Sequence, residues 1–132
     1  MNFNFNDGGR SRYFEATKVG DCVCRAISIA SQRDYKEVYD MLRDASGRTP
    51  RNGVYKKDYR KVMEKLGAEW VPLMTIGSGC KAHLRDGEIP MKGRIVCKLS
   101  KHLVAVIDGV INDTYDPSRD GSRCVYGYWL FK

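Results

Sequence analysis

The spacing of hydrophobic residues along this chain changes once, near Gly67. This change limits the folds that the chain can adopt. Before Gly67, apolar residues recur every three or four positions, as on one face of a helix. Beyond residue 93, short runs rich in Val, Ile and Leu are typical of strands. Helices followed by antiparallel strands predict an α+β fold. The length of 132 residues fits one domain, because most domains hold roughly 100–150 residues.

Three helices are predicted in the first half, each with signals for its ends. Asp21 and Asp34 stand where a side chain can accept a hydrogen bond from a free amide of the first turn. The second helix is expected to end at Ser46-Gly47. The third is expected over roughly 54–66, before Gly67.

The second half of the chain predicts a sheet. Its strands are expected over 69–74, 94–99, 102–107, 110–115 and 125–131. Asp108-Gly109 is a favoured dipeptide of two-residue hairpin turns, so the two strands flanking it are expected to pair antiparallel. In that register Ile107 lies opposite Val110.

The beginning of the chain is polar and rich in glycine. Residues 1–20 are expected to form an extended arm ahead of a single domain over 21–132. This start lacks the basic and apolar stretches of a signal peptide, and no apolar run approaches the roughly 20 residues of a membrane helix. We therefore expect a cytoplasmic protein that does not bind membranes, with cysteines that are mostly thiols. The cysteines are Cys22, Cys24, Cys80, Cys97 and Cys124.

Cys22 is the candidate nucleophile. It follows the predicted Asp21 cap and is expected in the first turn of the first helix. The positive end of the helix dipole favours a thiolate there and lowers the thiol pKa. A buried core thiol is the alternative interpretation. Cys24 is rotated about 200° from Cys22 around the helix, so both cannot face one partner, and Cys24 is expected in the core.

His102 is the candidate partner of that thiol. It begins the strand 102–107, and the hairpin register places it opposite Tyr115, with Val104 opposite Asp113. Because side chains alternate along a strand, His102 and Asp113 are expected on one face, diagonal to each other. A carboxylate there could orient the imidazole and stabilise its charged form. In this register Asp116 points to the other face, but a bulge would exchange the two aspartates.

The order Cys22, His102, then Asp113 or Asp116 resembles the papain-like cysteine peptidases. The strand beginning at His102, followed by a turn, a second strand and Asp116-Pro117, is similar to the bacteriocin-leader-processing peptidase domains. By that resemblance Asp116 would be the third catalytic residue, so both aspartates stay open. The resemblance implies a papain-like fold, in which N-terminal helices carrying the cysteine pack on a C-terminal antiparallel sheet carrying the histidine and aspartate.

A second resemblance covers nearly the whole chain, from about Gly20 to Trp129. The segments 20–27, 83–85, 102–119 and 123–129 are similar to a family of small proteins of tailed bacteriophages. This resemblance implies a phage origin and a papain-like fold. Together the two resemblances imply a thiol hydrolase acting on a protein or peptide, from the bacterial host, in the host cytoplasm. No cofactor is predicted.

One feature departs from the papain-like pattern. Those enzymes commonly carry a Gln about six residues before the nucleophile, whose amide helps to bind the developing oxyanion, whereas position 16 here is Ala. The oxyanion hole is therefore expected to use backbone amides at the helix start, such as that of Cys22, with another donor such as Thr17 or Lys18.

Three alternatives compete with the enzyme. A catalytically inactive module could use the same fold to bind a host protein. The net charge of +7 is compatible with nucleic-acid binding, which we do not favour because no recognition motif accompanies it. The basic residues concerned are Arg48, Arg51, Lys56, Lys57, Arg60, Lys61 and Lys65. A metal site is not predicted: no Cys-x2-Cys pair exists, and Cys80-x2-His83 is a single half-site.

Overall fold

The residues that the structure describes form three α-helices and a six-stranded sheet. A computed structural model describes residues 1–15, 20–51 and 53–132. The helices are α1 (Cys22–Ser31), α2 (Tyr35–Ser46) and α3 (Lys56–Lys65), and Arg10–Arg12 form a short 3-10 helix. The strands are β1 (Asn2–Phe5), β2 (Glu69–Pro72), β3 (Arg94–Leu99), β4 (His102–Ile107), β5 (Val110–Asp113) and β6 (Gly127–Phe131). The predicted α+β class is confirmed.

The helix ends follow local sequence signals. Asp34 accepts a hydrogen bond from the Lys36 amide at the start of α2, and Gly47 ends that helix at a φ of 71°. Asp21 precedes α1 as predicted, but its side chain makes no capping hydrogen bond. None of the helices in the described ranges is long and apolar enough to cross a membrane.

The sheet has the order β1-β5-β4-β3-β6-β2, and its pairs are antiparallel except β1 with β5. The predicted hairpin is confirmed, because Ile107 pairs with Val110. Asp108 and Gly109 have φ values of 48° and 78°, as a type I′ turn requires. The strands predicted over 69–74, 110–115 and 125–131 are each shorter by two residues in the structure.

The N-terminal segment differs from the predicted arm. Asn2–Phe5 pair with β5 as an edge strand, and the Asn4 side chain donates to Asn112 Oδ1 at 2.9 Å. Arg10 is buried. All four residues of β1 are exposed, so the alternation of Asn and Phe in this segment buries neither face of the strand. Backbone pairing and the asparagine bond hold it instead.

Apolar side chains cover both faces of the sheet. On one face, Leu103 and Ala105 of β4 belong to a core shared with the three helices. On the other face, Val104 and Val106 pack with residues of the irregular segments, such as Leu84 and Val125. Since successive side chains of a strand point to opposite faces, β4 is buried on both.

A disulfide bond joins the two irregular segments. Cys80 is bonded to Cys124, with their Cα atoms 5.9 Å apart. Backbone hydrogen bonds run alongside, from the Leu84 amide to the Arg123 carbonyl and from Val125 to Ala82, both at 2.9 Å. The expectation that the cysteines are mostly thiols is therefore wrong for Cys80 and Cys124, because the fold brings together two cysteines that are 44 residues apart in sequence.

We expect this disulfide to stabilise the fold. Replacing both Cys80 and Cys124 by serine should lower the free energy of unfolding by up to about 4 kcal/mol, since the bond restricts a long loop in the unfolded chain. Urea denaturation under oxidising conditions measures the difference. The wild type in excess reductant is the matched control and should unfold like the double variant. Equal urea midpoints for the oxidised and reduced wild type would contradict the bond.

Candidate active site

Cys22 lies at the point where the helix layer meets the end of the sheet. It is the first residue of α1, is partly buried, and lines one cleft together with His102 and Leu103 at the start of β4. Burial alone would raise the pKa of the Cys22 thiol. The hydrogen bond and positive charge of His102, the Leu103 backbone and the charge of Arg25 outweigh burial, and the pKa falls below its ordinary value.

His102 connects this thiol to a carboxylate. Its side chain is only 7% exposed, and its Nε2 lies 2.7 Å from Asp113 Oδ2. With Nε2 bonded to Asp113, Nδ1 is the ring nitrogen left for Cys22. Burial opposes protonation of the ring, but the hydrogen bonds and charges of Asp113 and Cys22 raise the His102 pKa to about 9. The arrangement favours a thiolate–imidazolium pair at neutral pH.

Asp113 is held from both sides. It ends β5 and is buried, and its Oδ1 accepts hydrogen bonds from Arg25 Nη2 at 3.1 Å and from the Thr114 amide at 2.7 Å. Oδ2 is thereby left to His102. The structure thus places Asp113 at the imidazole, as the hairpin register predicts.

Asp116 does not take this position. Its carboxylate is exposed and accepts a hydrogen bond from the Ser118 amide at 2.9 Å, two residues on. This contact is an ordinary Asp turn. The alternative that the peptidase resemblance implied for Asp116 is therefore corrected: the strand carrying Asp113 has no bulge that would exchange the two aspartates.

A buried chain of charges continues behind the site. Arg25 bonds Asp21 as well as Asp113, and Arg10 lies 3.4 Å from the same Asp21 oxygen. The second Asp21 oxygen accepts a hydrogen bond from the Tyr35 hydroxyl at 2.7 Å. Positive and negative groups alternate along this chain, so each buried charge lies beside an opposite one.

Sequence reasoning missed this network. Arg25 lies between Cys24 and Ala26, among the apolar residues of α1. An arginine within a run of buried residues requires a partner for its charge, and the network could have been predicted from this signal. Arg10 and Tyr35 carried no such signal, because their partner Asp21 was interpreted as a helix cap.

Cys24 lies in the core, as predicted. It is fully buried, and its thiol contacts the Tyr35 carbonyl oxygen at 3.7 Å. Burial raises the pKa of Cys24 to about 12. Cys97 is likewise buried, and burial raises its pKa to about 12. Neither thiol is ionised near neutral pH, which leaves Cys22 as the reactive cysteine among the three free ones.

The first turn of α1 supplies amides near Cys22. The oxygens of Asp21 bond Arg10, Arg25 and Tyr35, so they do not cap these amides. The uncapped end of a helix is a favourable place for negative charge. Thr17 and Lys18, which were predicted as further donors to the oxyanion, lie outside the described residues, as does Ala16, which stands where papain-like enzymes carry Gln.

Two clefts meet at His102. One, of about 290 Å³, contains Cys22 and is walled by apolar groups including Val23, Val54 and Leu103. The other, of about 530 Å³, lies beyond His102 and contains Lys101, Arg119 and Arg123 but not Cys22. A substrate lying through both clefts would pass the sulfur and the imidazole in turn.

The basic residues between 48 and 65 are partly engaged within the protein. The Arg48 guanidinium lies 4.4 Å from the centre of the Tyr55 ring, and that of Arg51 lies 4.8 Å from the Phe14 ring. Arg60 pairs with Glu64 at 3.1 Å. Contacts of this kind are expected of basic residues on a solvent-exposed surface.

Comparison with known proteins gives no match: neither a protein-family model, nor a curated protein, nor a solved structure matches this chain. Its chemistry is therefore argued from the side chains. The structure brings a thiol, an imidazole and a carboxylate together in Cys22, His102 and Asp113, and these are the groups that acyl transfer through a thiol uses.

We expect Cys22 to react with iodoacetamide well below pH 8. The rate should rise with pH through the lowered Cys22 pKa, since the thiolate is the reactive form. His102→Ala removes the interaction that offsets burial, so the Cys22 pKa should rise and labelling at pH 7 should fall by about tenfold or more. Peptide mass spectrometry at several pH values follows each cysteine.

Cys24→Ala is the matched control for this labelling. Because the Cys24 pKa is about 12, its removal should leave the pH profile of Cys22 unchanged. A wild-type Cys22 that labels no faster at pH 7 than in His102→Ala would contradict the thiolate–imidazolium pair.

Arg25→Met should destabilise the protein strongly. The substitution keeps much of the side-chain volume but leaves Asp21 and Asp113 buried without their shared cation. We expect a loss of about 3–5 kcal/mol in the free energy of unfolding. Arg33→Met also breaks an arginine–carboxylate pair at i, i+4, but both partners there are about half exposed (48% and 49%), so the loss should stay below about 1 kcal/mol. Equal losses would show that the buried network does not hold the fold.

Proposed function

We propose that this protein is a thiol hydrolase that cleaves a peptide or isopeptide bond through Cys22, His102 and Asp113. The observation that carries the proposal is the hydrogen bond between the His102 ring and the Asp113 carboxylate, with Cys22 and His102 lining the same cleft and His102 standing where two clefts meet. The pKa of Cys22 is lowered and that of His102 is raised, and these shifts favour the protonation states that a nucleophilic thiol and its imidazole partner need.

In the first step, the Cys22 thiolate attacks the carbonyl carbon of the substrate. A carbon–sulfur bond forms, and the carbonyl π electrons move to oxygen, giving a tetrahedral oxyanion. The oxyanion collapses, the carbon–nitrogen bond breaks, and the His102 imidazolium gives its proton to the departing amine. The products of this half-reaction are the amine and a thioester on Cys22.

In the second step, water hydrolyses the thioester. Neutral His102 takes a proton from water while the water oxygen attacks the thioester carbon, and the carbon–sulfur bond breaks. The carboxylic acid leaves, and the thiolate–imidazolium pair is restored. Asp113 keeps the ring oriented and stabilises its charged form throughout, with Oδ2 at Nε2.

The oxyanion is proposed to rest at the start of α1. The amide of Cys22 belongs to the first turn, whose amides Asp21 does not cap, and the helix dipole places partial positive charge there. The arginine network that holds Asp21 thus keeps these amides available.

The chain order Cys22, His102, Asp113 and the helix-then-sheet architecture support a papain-like relationship. The resemblance of residues 20–129 to small tailed-phage proteins supports a phage origin. On that basis we propose that the substrate is a protein or peptide of the bacterial host, met in the host cytoplasm, where the Cys80–Cys124 bond would be reduced to two thiols.

The proposed function is tested with a library of peptides made by digesting a bacterial proteome. New peptide ends are mapped by mass spectrometry after incubation with the protein. Wild-type protein should generate ends within a consistent sequence context, and Cys22→Ala should generate none. If wild-type protein produces none and Cys22 labels like an ordinary thiol, the protein is instead a catalytically inactive module that binds a partner.

Asp113→Asn and Asp116→Asn form a matched pair for the third residue. With a peptide found in the library, kcat/KM should rise through the Cys22 pKa and fall as His102 loses its proton near pH 9. Asp113→Asn removes the negative charge that supports the imidazolium, so the alkaline limb should move down by about one pH unit or more. Asp116→Asn should leave both limbs in place. A shifted limb in Asp116→Asn alone would assign the role to Asp116.

A further inference from the structure

The cleft beyond His102 carries uncompensated positive charge. Its lining includes Lys101, Arg119 and Arg123 and contains no carboxylate. None of these three side chains forms an ion pair with any residue in the described part of the chain. Asp116, in the neighbouring loop, is turned to the Ser118 amide instead.

These cations are placed by the backbone around them. Arg123 donates to the carbonyl oxygens of Ser100 at 2.5 Å and Pro117 at 3.5 Å, which holds its guanidinium between two loops. Lys101 and Arg119 occupy left-handed turn positions, with φ values of 56° and 51°. Both are exposed, so their side chains are accessible to a ligand.

The cleft that contains Cys22 has a different character. Its walls include the apolar groups of Val23, Val54 and Leu103 and the buried ring of Tyr59, and three lysines also line it: Lys56, Lys98 and Lys101, the last shared with the cationic cleft. Such a pocket suits an apolar side chain.

The chemistry assigns a direction to the two clefts. The carbonyl carbon bonds to the Cys22 sulfur, so the acyl part of the substrate lies in the cleft that contains Cys22. His102 protonates the departing amine, so the amine part lies on the far side of the ring, in the cationic cleft. Exposed Tyr115, with its ring centre 5.4 Å from that of His102, forms a wall of that cleft.

We propose that the substrate is a polypeptide with an apolar residue before the cleaved bond and acidic residues directly after it. This inference rests on the proposed function, because the direction of the substrate follows from the thiol mechanism. The apolar residue occupies the pocket beside Cys22. The carboxylates of the residues after the cleaved bond neutralise the positive charges of Lys101, Arg119 and Arg123. These three side chains have no acidic partner among the described residues of the protein.

A polypeptide fits this site better than a nucleic acid. The cationic cleft begins at His102, next to a thiolate whose reaction requires an acyl carbon, and a phosphodiester chain offers none. An acidic peptide supplies both the carbonyl group and the negative charges.

Two quenched fluorescent peptides test the proposal. Both carry Leu before the cleaved bond; one continues with Asp-Glu-Asp and the other with the neutral isosteres Asn-Gln-Asn. The acidic peptide should show a kcat/KM roughly tenfold higher at low salt, and the ratio should decrease as salt screens the cleft. Cleavage of both peptides at equal rates would overturn the proposed specificity while the proposed hydrolase stands.

Arg119→Glu and Lys92→Glu separate the cleft from the net charge. Both make the same charge change on an exposed residue, but Lys92 precedes β3, at the opposite end of that strand from the cleft. Arg119→Glu should remove most of the preference for the acidic peptide, and Lys92→Glu should keep it. An equal loss in both variants would attribute the preference to overall charge and overturn the assignment to the cleft.

Binding to Cys22→Ala tests the cleft without catalysis. In fluorescence anisotropy, the acidic peptide should bind more tightly than its neutral isostere, and the added Arg119→Glu change should abolish the difference. This result would support the cleft even if wild-type protein cleaves no peptide, in which case only the hydrolase proposal fails. Tighter binding of a single-stranded RNA oligonucleotide of matched charge, also lost with Arg119→Glu, would overturn the choice of a polypeptide.

Discussion

The ion pairs of Arg25 join the fold to the site. This buried side chain of α1 contacts Asp21 at the start of its own helix and Asp113 at the end of β5. One guanidinium therefore fixes the helix that carries Cys22 relative to the strand that orients His102. Because a buried charge without its partner is costly, the two elements cannot separate without exposing or isolating these carboxylates. The geometry of the site therefore follows from how α1 and β5 are held together.

The same network determines how α1 begins. An aspartate before a helix ordinarily accepts a hydrogen bond from the first turn, but Asp21 is held by Arg10, Arg25 and Tyr35 instead. The helix forgoes a capping bond that is worth about 1 kcal/mol. The amides beside Cys22 remain available for the negative charge that the proposed reaction would form. A capping hydrogen bond and the ion-pair network would both use the Asp21 carboxylate, and in this structure the network binds it.

Sequence patterns predicted the elements better than their long-range contacts. The three helices and the 102–113 hairpin follow from local signals, and the hairpin register placed Asp113 near His102 because alternation along a strand is strict. The edge strand β1 was missed, since its residues are all exposed. The Cys80–Cys124 bond was missed because its partners meet only through the chain fold.

The buried network was missed for a related reason. Asp21 satisfied a local rule as a helix cap, and that rule explained the residue without any distant partner. Arg10 lies in a segment whose composition is typical of a loop, and it comes near Asp21 only because β1 pairs with β5 and draws the N-terminus across the sheet edge. Within this network only the bond from Arg25 to Asp113 joins residues far apart in sequence, 88 positions, whereas Arg10 lies 11 residues from Asp21.

Charge balance distinguishes the interior of the site from its entrance. Inside, Arg10 and Arg25 face Asp21 and Asp113, and the Cys22–His102 pair is neutral in both its forms. Moving the proton from sulfur to imidazole therefore leaves the net buried charge unchanged, which keeps the reactive form accessible in a partly desolvated place. The entrance beyond His102 has cations without acids. The buried charges of this protein are closely paired, whereas the unpaired positive charges lie at the entrance, where a ligand can reach them. An acidic polypeptide is the ligand that would neutralise these charges.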